Sequence, residues 1–322
     1  MLLRFLIPSP SPSCPPVSSG GTVWANNRIG VSTWVSALLA IALFSLTAPL
    51  TKEALAGYSV LSIGAGRGVI GGAIAILVVQ FSGWRLPGGS ALWWILLASP
   101  GLVFGFPFLI TWVLTQASSA DIGVVLAALP LLTAVLSSLI NRRTLSFRFW
   151  GWALLGMLLT MGYFTIQSDW SQSQHSGTTQ WLLLAALLSA AWGYAAGAKA
   201  AQQIGGWQTI CWVQVFTSPV CAVLFGWSLG QNTPTDISSE ITTSATLSLL
   251  YLGIASQVIG FRFWFKALAV DAARVSQIQL LQPVMTLAAL TLFWNASVSI
   301  WQWLAASGIL ICVLGATNPK RF

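Results

Sequence analysis

The sequence predicts an all-α membrane protein of ten transmembrane helices arranged as two inverted five-helix repeats. Three observations carry this. Of the 322 residues 56% are apolar and only 6% charged, where soluble proteins carry about 25% charged residues. Uncharged runs recur at lengths that fit a hydrocarbon layer, which takes about 20 helical residues to cross. Basic residues, finally, segregate to alternate connections.

So few charges cannot cover a water-soluble surface of this size, whereas a lipid-facing surface must be apolar. The net charge of +8 does not point to nucleic acid, because the basic residues are scattered in ones to threes between apolar runs instead of clustering on one face. Cys14, Cys211, Cys221 and Cys312 form no CxxC pair and His175 is the only histidine, so neither a metal site nor a disulfide framework is expected. No cofactor is implied.

Residues 1–30, rich in Ser, Pro and Gly, are expected to be a disordered cytoplasmic tail, since such a composition buries too little apolar surface to offset ordering entropy. The ten spans then fall at about 32–52, 60–81, 91–115, 121–141, 148–166, 180–201, 207–229, 244–268, 273–294 and 299–316. The first repeat is 31–166 and the second 180–317, joined by an external loop over 167–179. A second polar connection covers 230–243, and 318–322 form a short cytoplasmic end.

With ten spans, twelve of the fourteen basic residues lie on the side of the termini, among them Arg85, Arg142, Arg143, Arg148, Lys199, Arg262, Lys266 and Arg274. Only Lys52 falls in an opposite loop, and Arg67 lies inside a span. Of the acids, Glu53, Asp121, Asp169, Asp236 and Glu240 fall opposite, leaving Asp271 on the basic side. The positive-inside rule therefore puts both termini in the cytoplasm of a bacterial-type plasma (inner) membrane.

An offset of 153 residues aligns Ala120 with Ala273, Pro130 with Pro283, Thr133 with Thr286 and Gly162 with Gly315. Five spans per half is an odd number, so the second copy is inverted, as in carriers that bind solute near the midplane between halves.

The second half carries Tyr251-Leu-Gly-Ile, Phe263-Trp-Phe-Lys-Ala-Leu, Ala272-Ala-Arg-Val-Ser, Leu280-Leu-Gln-Pro-Val and the Gly308 to Gly315 run, and the first has Ala65-Gly-Arg67 and Leu129-Pro-Leu-Leu-Thr. In order and spacing this resembles a pair of EamA repeats of the drug/metabolite transporter superfamily. The resemblance implies a ten-helix carrier with cytoplasmic ends that moves small metabolites such as amino acids. It departs from the family at the Glu about twelve residues after each repeat proline, where Arg142 and Asn295 stand. Coupling through that carboxylate is then in question.

Catalysis needs titratable groups gathered within hydrogen-bonding reach, and every acidic residue sits at a span end or in a loop. An enzyme is not expected. The sharpest signal is Arg67, about 12 Å into its span at 1.5 Å per residue, where a charge costs about 2.5–3.5 kcal/mol on insertion scales and faces a partner or a wet cavity. Two readings compete: an electrostatic contact for an anionic solute group, or an Arg that snorkels outward or pairs with Glu53 or Asp121.

Gln257, Gln279 and Gln282 are amides in spans and must face protein or cavity. Trp112, Trp192, Tyr194 and Trp264 lie deep enough to line one. The candidate substrate-binding set is thus Arg67, Trp112, Tyr194, Gln257, Trp264, Gln279 and Gln282, with Gln282 beside Pro283 as a midplane polar point. Gly64, Gly68 and Gly72 form a small-residue stripe for helix packing. In-span prolines, Pro130 and Pro283 foremost, permit hinges. Many other tryptophans, including Trp84, Trp93, Trp181 and Trp207, fall near span ends as interfacial belt residues.

The expected partners are a small-molecule solute and the lipid bilayer, with a homodimer admitted. The leading function is a secondary transporter, an exporter working by alternating access. The alternative is a non-transporting scaffold or assembly factor that kept the carrier fold.

Overall fold

A computed structural model of the chain describes residues 29–116, 122, 125–167, 177–231, 242–294 and 300–317. Most of the N-terminal tail, the loop acids Asp121, Asp169, Asp236 and Glu240, His175, Asn295 and the last five residues lie outside them. The regular structure of the described residues is all helical, with no strand. Six helical stretches are long and apolar enough to cross a membrane: Val31–Ala54, Val60–Ser82, Gly89–Val113, Thr178–Ile204, Gly206–Gly230 and Thr243–Thr286.

Several of these stretches are not single α-helices. The first divides at Leu46 into α1 (Val31–Ser45) and α2 (Thr47–Ala54). After α3 (Val60–Ser82), α4 (Gly89–Ser99) passes through a π-helical segment, Pro100–Gly105, into α5 (Phe106–Val113). Then come α6 (Leu129–Ile140), α7 (Phe147–Gln167), α8 (Gly177–Ile204) and α9 (Gly206–Gln231). In the last long stretch α10 (Thr243–Tyr251) runs through a second π-helical segment, Leu252–Gly260, into α11 (Phe261–Ser276). A 3₁₀ segment, Gln277–Leu281, leads to α12 (Gln282–Trp294), and α13 (Ile300–Thr317) closes the chain.

Proline placement explains most of the breaks. Proline lacks an N–H and fixes φ, so it is accommodated in the first turn, where that donor has no helical partner. Pro49, Pro100, Pro107, Pro130 and Pro283 all sit within the first three residues of a segment. Pro219 alone is carried inside a continuous helix, α9. The extended backbone of Asp271 (φ −158°, ψ 92°) interrupts α11 where the sequence places the connection between spans eight and nine.

The two π segments were not foreseen, because a locally widened turn leaves no mark in hydrophobic periodicity. They are not placed at random: the 153-residue offset carries 100–105 onto 253–258, inside the second segment.

The glycines of α3 lie close against neighbouring helices. A side chain at Gly64 would meet the Phe108 ring at 2.7 Å, one at Gly68 would strike Cys221 and one at Gly72 would strike Ser218. Helices α3 and α9 therefore touch nearly backbone to backbone. Gly101 and Gly105 are closed in the same way by Ser189 of α8. Cys211, Cys221 and Cys312 are buried free thiols.

Hydrogen bonds define the two ends of the bundle. At one, Thr179 donates to Gln116 (2.8 Å) and Ser244 to Glu53 (2.8 Å). About 30 Å further along α8, by its rise, Lys199 donates to Asn141 (2.8 Å), and near it Ser90 donates to Gln203 (2.8 Å). This second end also holds an ion pair between Arg143 and Asp271.

Candidate functional site

A cavity of about 390 Å³ lies among α1, α2, α3, α5, α6, α8, α11, α12 and the two π segments, and so is shared by both halves of the sequence. It reaches toward the first end, where the exposed Lys52, next to Glu53, is part of its lining. Much of its wall is apolar, including Phe106, Pro107, Ile110 and Leu126. Its polar lining includes Arg67, Gln257, Ser256, Tyr194, Gln279 and Gln282. No carboxylate lines it among the described residues.

Arg67 is 3% exposed. Its Nη2 donates to Gln257 Oε1 at 3.2 Å, while Nε and Nη1 have no partner. Arg67 therefore does not snorkel outward, and Glu53 accepts from Ser244 at the end of the bundle, while Asp121 lies outside the described residues. Arg67 cannot leave the interior because the glycines flanking it draw α9 and α5 close on either side of α3. A buried donor without an acceptor costs about 1–3 kcal/mol, more for a charged group. Two such donors beside a cavity make it a place for an acceptor.

Gln257 is 1% exposed and is held by both of its ends. Its Nε2 donates to the Leu102 carbonyl at 3.4 Å, and its own backbone carbonyl accepts from Gln214 Nε2 at 3.4 Å. Leu102 belongs to the first π segment and Gln257 to the second, so the two widened turns meet through this amide. π turns loosen the regular i→i−4 ladder and are frequent at functional sites.

Below these groups the cavity ends on aromatic rings. Phe44 and Tyr194 each pack on Phe261, at centroid distances of 5.1 and 6.0 Å, and Tyr194 meets Trp264 edge-on at 5.8 Å. Gln279 donates to Gln282 at 3.5 Å, Gln282 donates to the Phe44 carbonyl at 3.3 Å, and Thr47 and Ser256 hydrogen-bond at 3.0 Å. Ser276 and Gln277, just beyond, both donate to the Pro130 carbonyl at 3.0 Å, which ties α11 and the 3₁₀ segment to the start of α6.

The structure thus brings Arg67, Tyr194, Gln257, Gln279, Gln282, Pro130 and Pro283 to one cavity. It does not bring all the candidates there. Trp112 is 52% exposed on the outer face of α5, because it follows the lining residue Ile110 by two positions and a helix turns about 200° in that interval. Trp264 is fully buried behind Tyr194 and does not reach the cavity. Trp192 is also turned outward, its indole donating to the Leu97 carbonyl at 3.0 Å. Trp207 is not a lipid-facing belt residue: it is buried beneath the Arg262 guanidinium, 4.7 Å from the ring centroid.

Sequence reasoning passed over Thr47, Ser256 and Gln214. The signal for Gln214 was present, since an amide inside an apolar span must find protein, and it is fully buried against Gly71.

Residues 31–165 and 180–317 both match the sequence profile of the EamA-like transporter family. The chain is also similar to the uncharacterized transporter YdeK of Bacillus subtilis, with 32% identity over 291 residues, which cover 90% of this chain and 97% of that protein. A crystal structure superposes with a TM-score of 0.69 at 21% identity, covering 90% of this chain and 99% of the other, which speaks to fold alone.

Proposed function

This chain belongs to the EamA-like transporter family, an integral membrane transporter and not an enzyme, and on that premise we propose that it is a secondary carrier for a small metabolite bearing an anionic group. The solute, an amino acid or similar amphipathic molecule, binds in the cavity between the halves, and the protein works as an exporter by alternating access. The observation that carries this reading is Arg67: a guanidinium 3% exposed, with two unpartnered N–H groups beside a 390 Å³ space. Tyr194, Gln279 and Gln282 supply neutral hydrogen-bonding groups around it.

The same reading takes the chain to cross the membrane ten times, as repeats over 31–166 and 180–317, with both termini in the cytoplasm of a bacterial-type plasma membrane. It is supported by the position of Asp271 at a break within the longest apolar stretch and by the gathering of Arg143, Lys199 and Arg274 at the end of the bundle away from Lys52. On this topology the Lys52 end of the cavity faces outward.

The test is initial transport rate in proteoliposomes at matched protein content. Arg67→Lys keeps the charge but loses the planar fork and is expected to retain part of the rate, while Arg67→Ala retains almost none. A rate for Arg67→Ala equal to the parent's removes Arg67 from the solute site. Absence of flux above empty vesicles for a panel of amino acids, nucleobases and sugars favours the scaffold alternative.

A further inference from the structure

Arg67 has a neutral partner where a buried guanidinium ordinarily has a carboxylate, and that choice has a chemical consequence. We infer that Gln257 is a positioning residue whose neutrality preserves the charge selectivity that Arg67 gives the cavity: it orients Arg67 without neutralising it, so the site accepts a carboxylate in preference to an uncharged or cationic head group. The inference rests on the anion-binding reading of Arg67 above.

The amide's orientation is fixed by what it meets. Leu102 offers only a carbonyl acceptor and Arg67 only donors. The amide must therefore give Nε2 to Leu102 and Oε1 to Arg67, as found at 3.4 and 3.2 Å. With Gln257 buried and its backbone carbonyl engaged by Gln214, the guanidinium is held by one terminal nitrogen. Its Nε and Nη1 remain free.

A carboxylate oxygen accepts a charge-assisted bond from either free nitrogen, Nε or Nη1, which lie on different edges of the guanidinium. No described lining residue competes with it, because none is acidic. Ser256, beside Gln257, and Tyr194 add hydroxyls that serve an anion as readily as a neutral solute. The apolar wall of Phe106, Pro107, Ile110 and Leu126 receives the rest of the molecule.

Glutamate at 257 differs from glutamine by one atom of nearly equal size. It would keep the contact with Arg67 but convert the Arg67 pair from formally positive to neutral, and it would set a carboxylate oxygen against the Leu102 carbonyl.

The experiment uses the full chain in nanodiscs with three probes of similar shape: phenylacetate, phenylacetamide and 2-phenylethylamine. A ligand that binds the folded state raises the melting temperature. The parent is expected to be stabilised by phenylacetate and not by the other two. Gln257→Glu should lose that preference, with an affinity for phenylacetate at least tenfold weaker. Gln257→Leu removes the clamp but not the charge and should bind phenylacetate several-fold more weakly while still preferring it to the amide.

A Gln257→Glu protein that keeps the parental preference overturns the inference and leaves the Arg67 reading intact. So does a Gln257→Leu protein that loses the preference for the anion, and this second variant decides the matter if the first does not fold. A parent with no preference for phenylacetate, or one equalled by Arg67→Ala, overturns both readings.

Discussion

Asp271 Oδ2 lies 2.9 Å from Arg143 Nη1, joining residues 128 positions apart in the two halves of the chain. Arg274 Nε approaches the same oxygen at 3.7 Å, and the backbone N–H of Arg274 donates to Asp271 Oδ1 at 3.2 Å. One carboxylate, at a break in the helix, thus ties the basic end of the bundle together on the side of the aromatic floor away from the cavity.

If this tie keeps that end shut, Asp271→Asn should raise access from it. With Ala196→Cys as reporter, fully buried in the parent, an impermeant maleimide applied to that side should label several-fold faster in the Asp271→Asn background. Equal labelling rates would show the pair to be a partly exposed ion pair of the kind worth about 0–1 kcal/mol.

Crowding at the glycine stripe gives a prediction for packing. Gly72→Leu puts a side chain where Ser218 already stands, so α3 and α9 must separate, and overpacking costs about 1–3 kcal/mol or more. Lower thermal stability and lower membrane abundance are expected. Gly83→Ala tests the contrast: its φ of 63° is strained for alanine but nothing lies within 4 Å, so the loss should be smaller. Thermal unfolding of both variants in detergent gives the comparison.

The aromatic floor separates two roles of one residue. Tyr194→Phe preserves the packing on Phe261 and Trp264 and alters only the hydroxyl, so transport should continue with a changed KM. Tyr194→Ala leaves a hole of the kind that costs about 3–5 kcal/mol in cores. It should raise passive leak of solute through the protein, measured as efflux from loaded proteoliposomes without an imposed gradient. A tight Tyr194→Ala vesicle with normal turnover would remove the floor from the permeation barrier.

Topology has a direct test. A reporter fused after Arg321 should be cytoplasmic, and tags within 167–179 and 230–243 should be reached from outside. An external C-terminus would overturn the ten-crossing arrangement and the inverted pairing of halves.

Much of the cavity's location was legible in the sequence because a charge or an amide in an apolar run has few places to go. Arg67, Gln257, Gln279 and Gln282 are such residues, and all four line one cavity. Tryptophan gave no such guidance. Its depth along a helix can be counted, but its direction around the axis depends on neighbours the sequence does not order, and Trp112 and Trp264 consequently ended on the outer face and behind the wall. The Asp271 to Arg143 tie was equally hidden, since no local pattern relates residues so far apart, and the π segments were hidden because one widened turn does not disturb a hydropathy trace.

The glycine contact between α3 and α9 also bears on how the halves could move past one another. Where helices interlock through long side chains, sliding requires rotamers to be unlocked and reset. Where Gly68 and Gly72 face Cys221 and Ser218, the opposing surfaces are almost smooth, with few torsions to rearrange. Such a seam acts as a bearing: it resists separation through close dispersion contact yet offers little friction to the small shear by which packed helices shift.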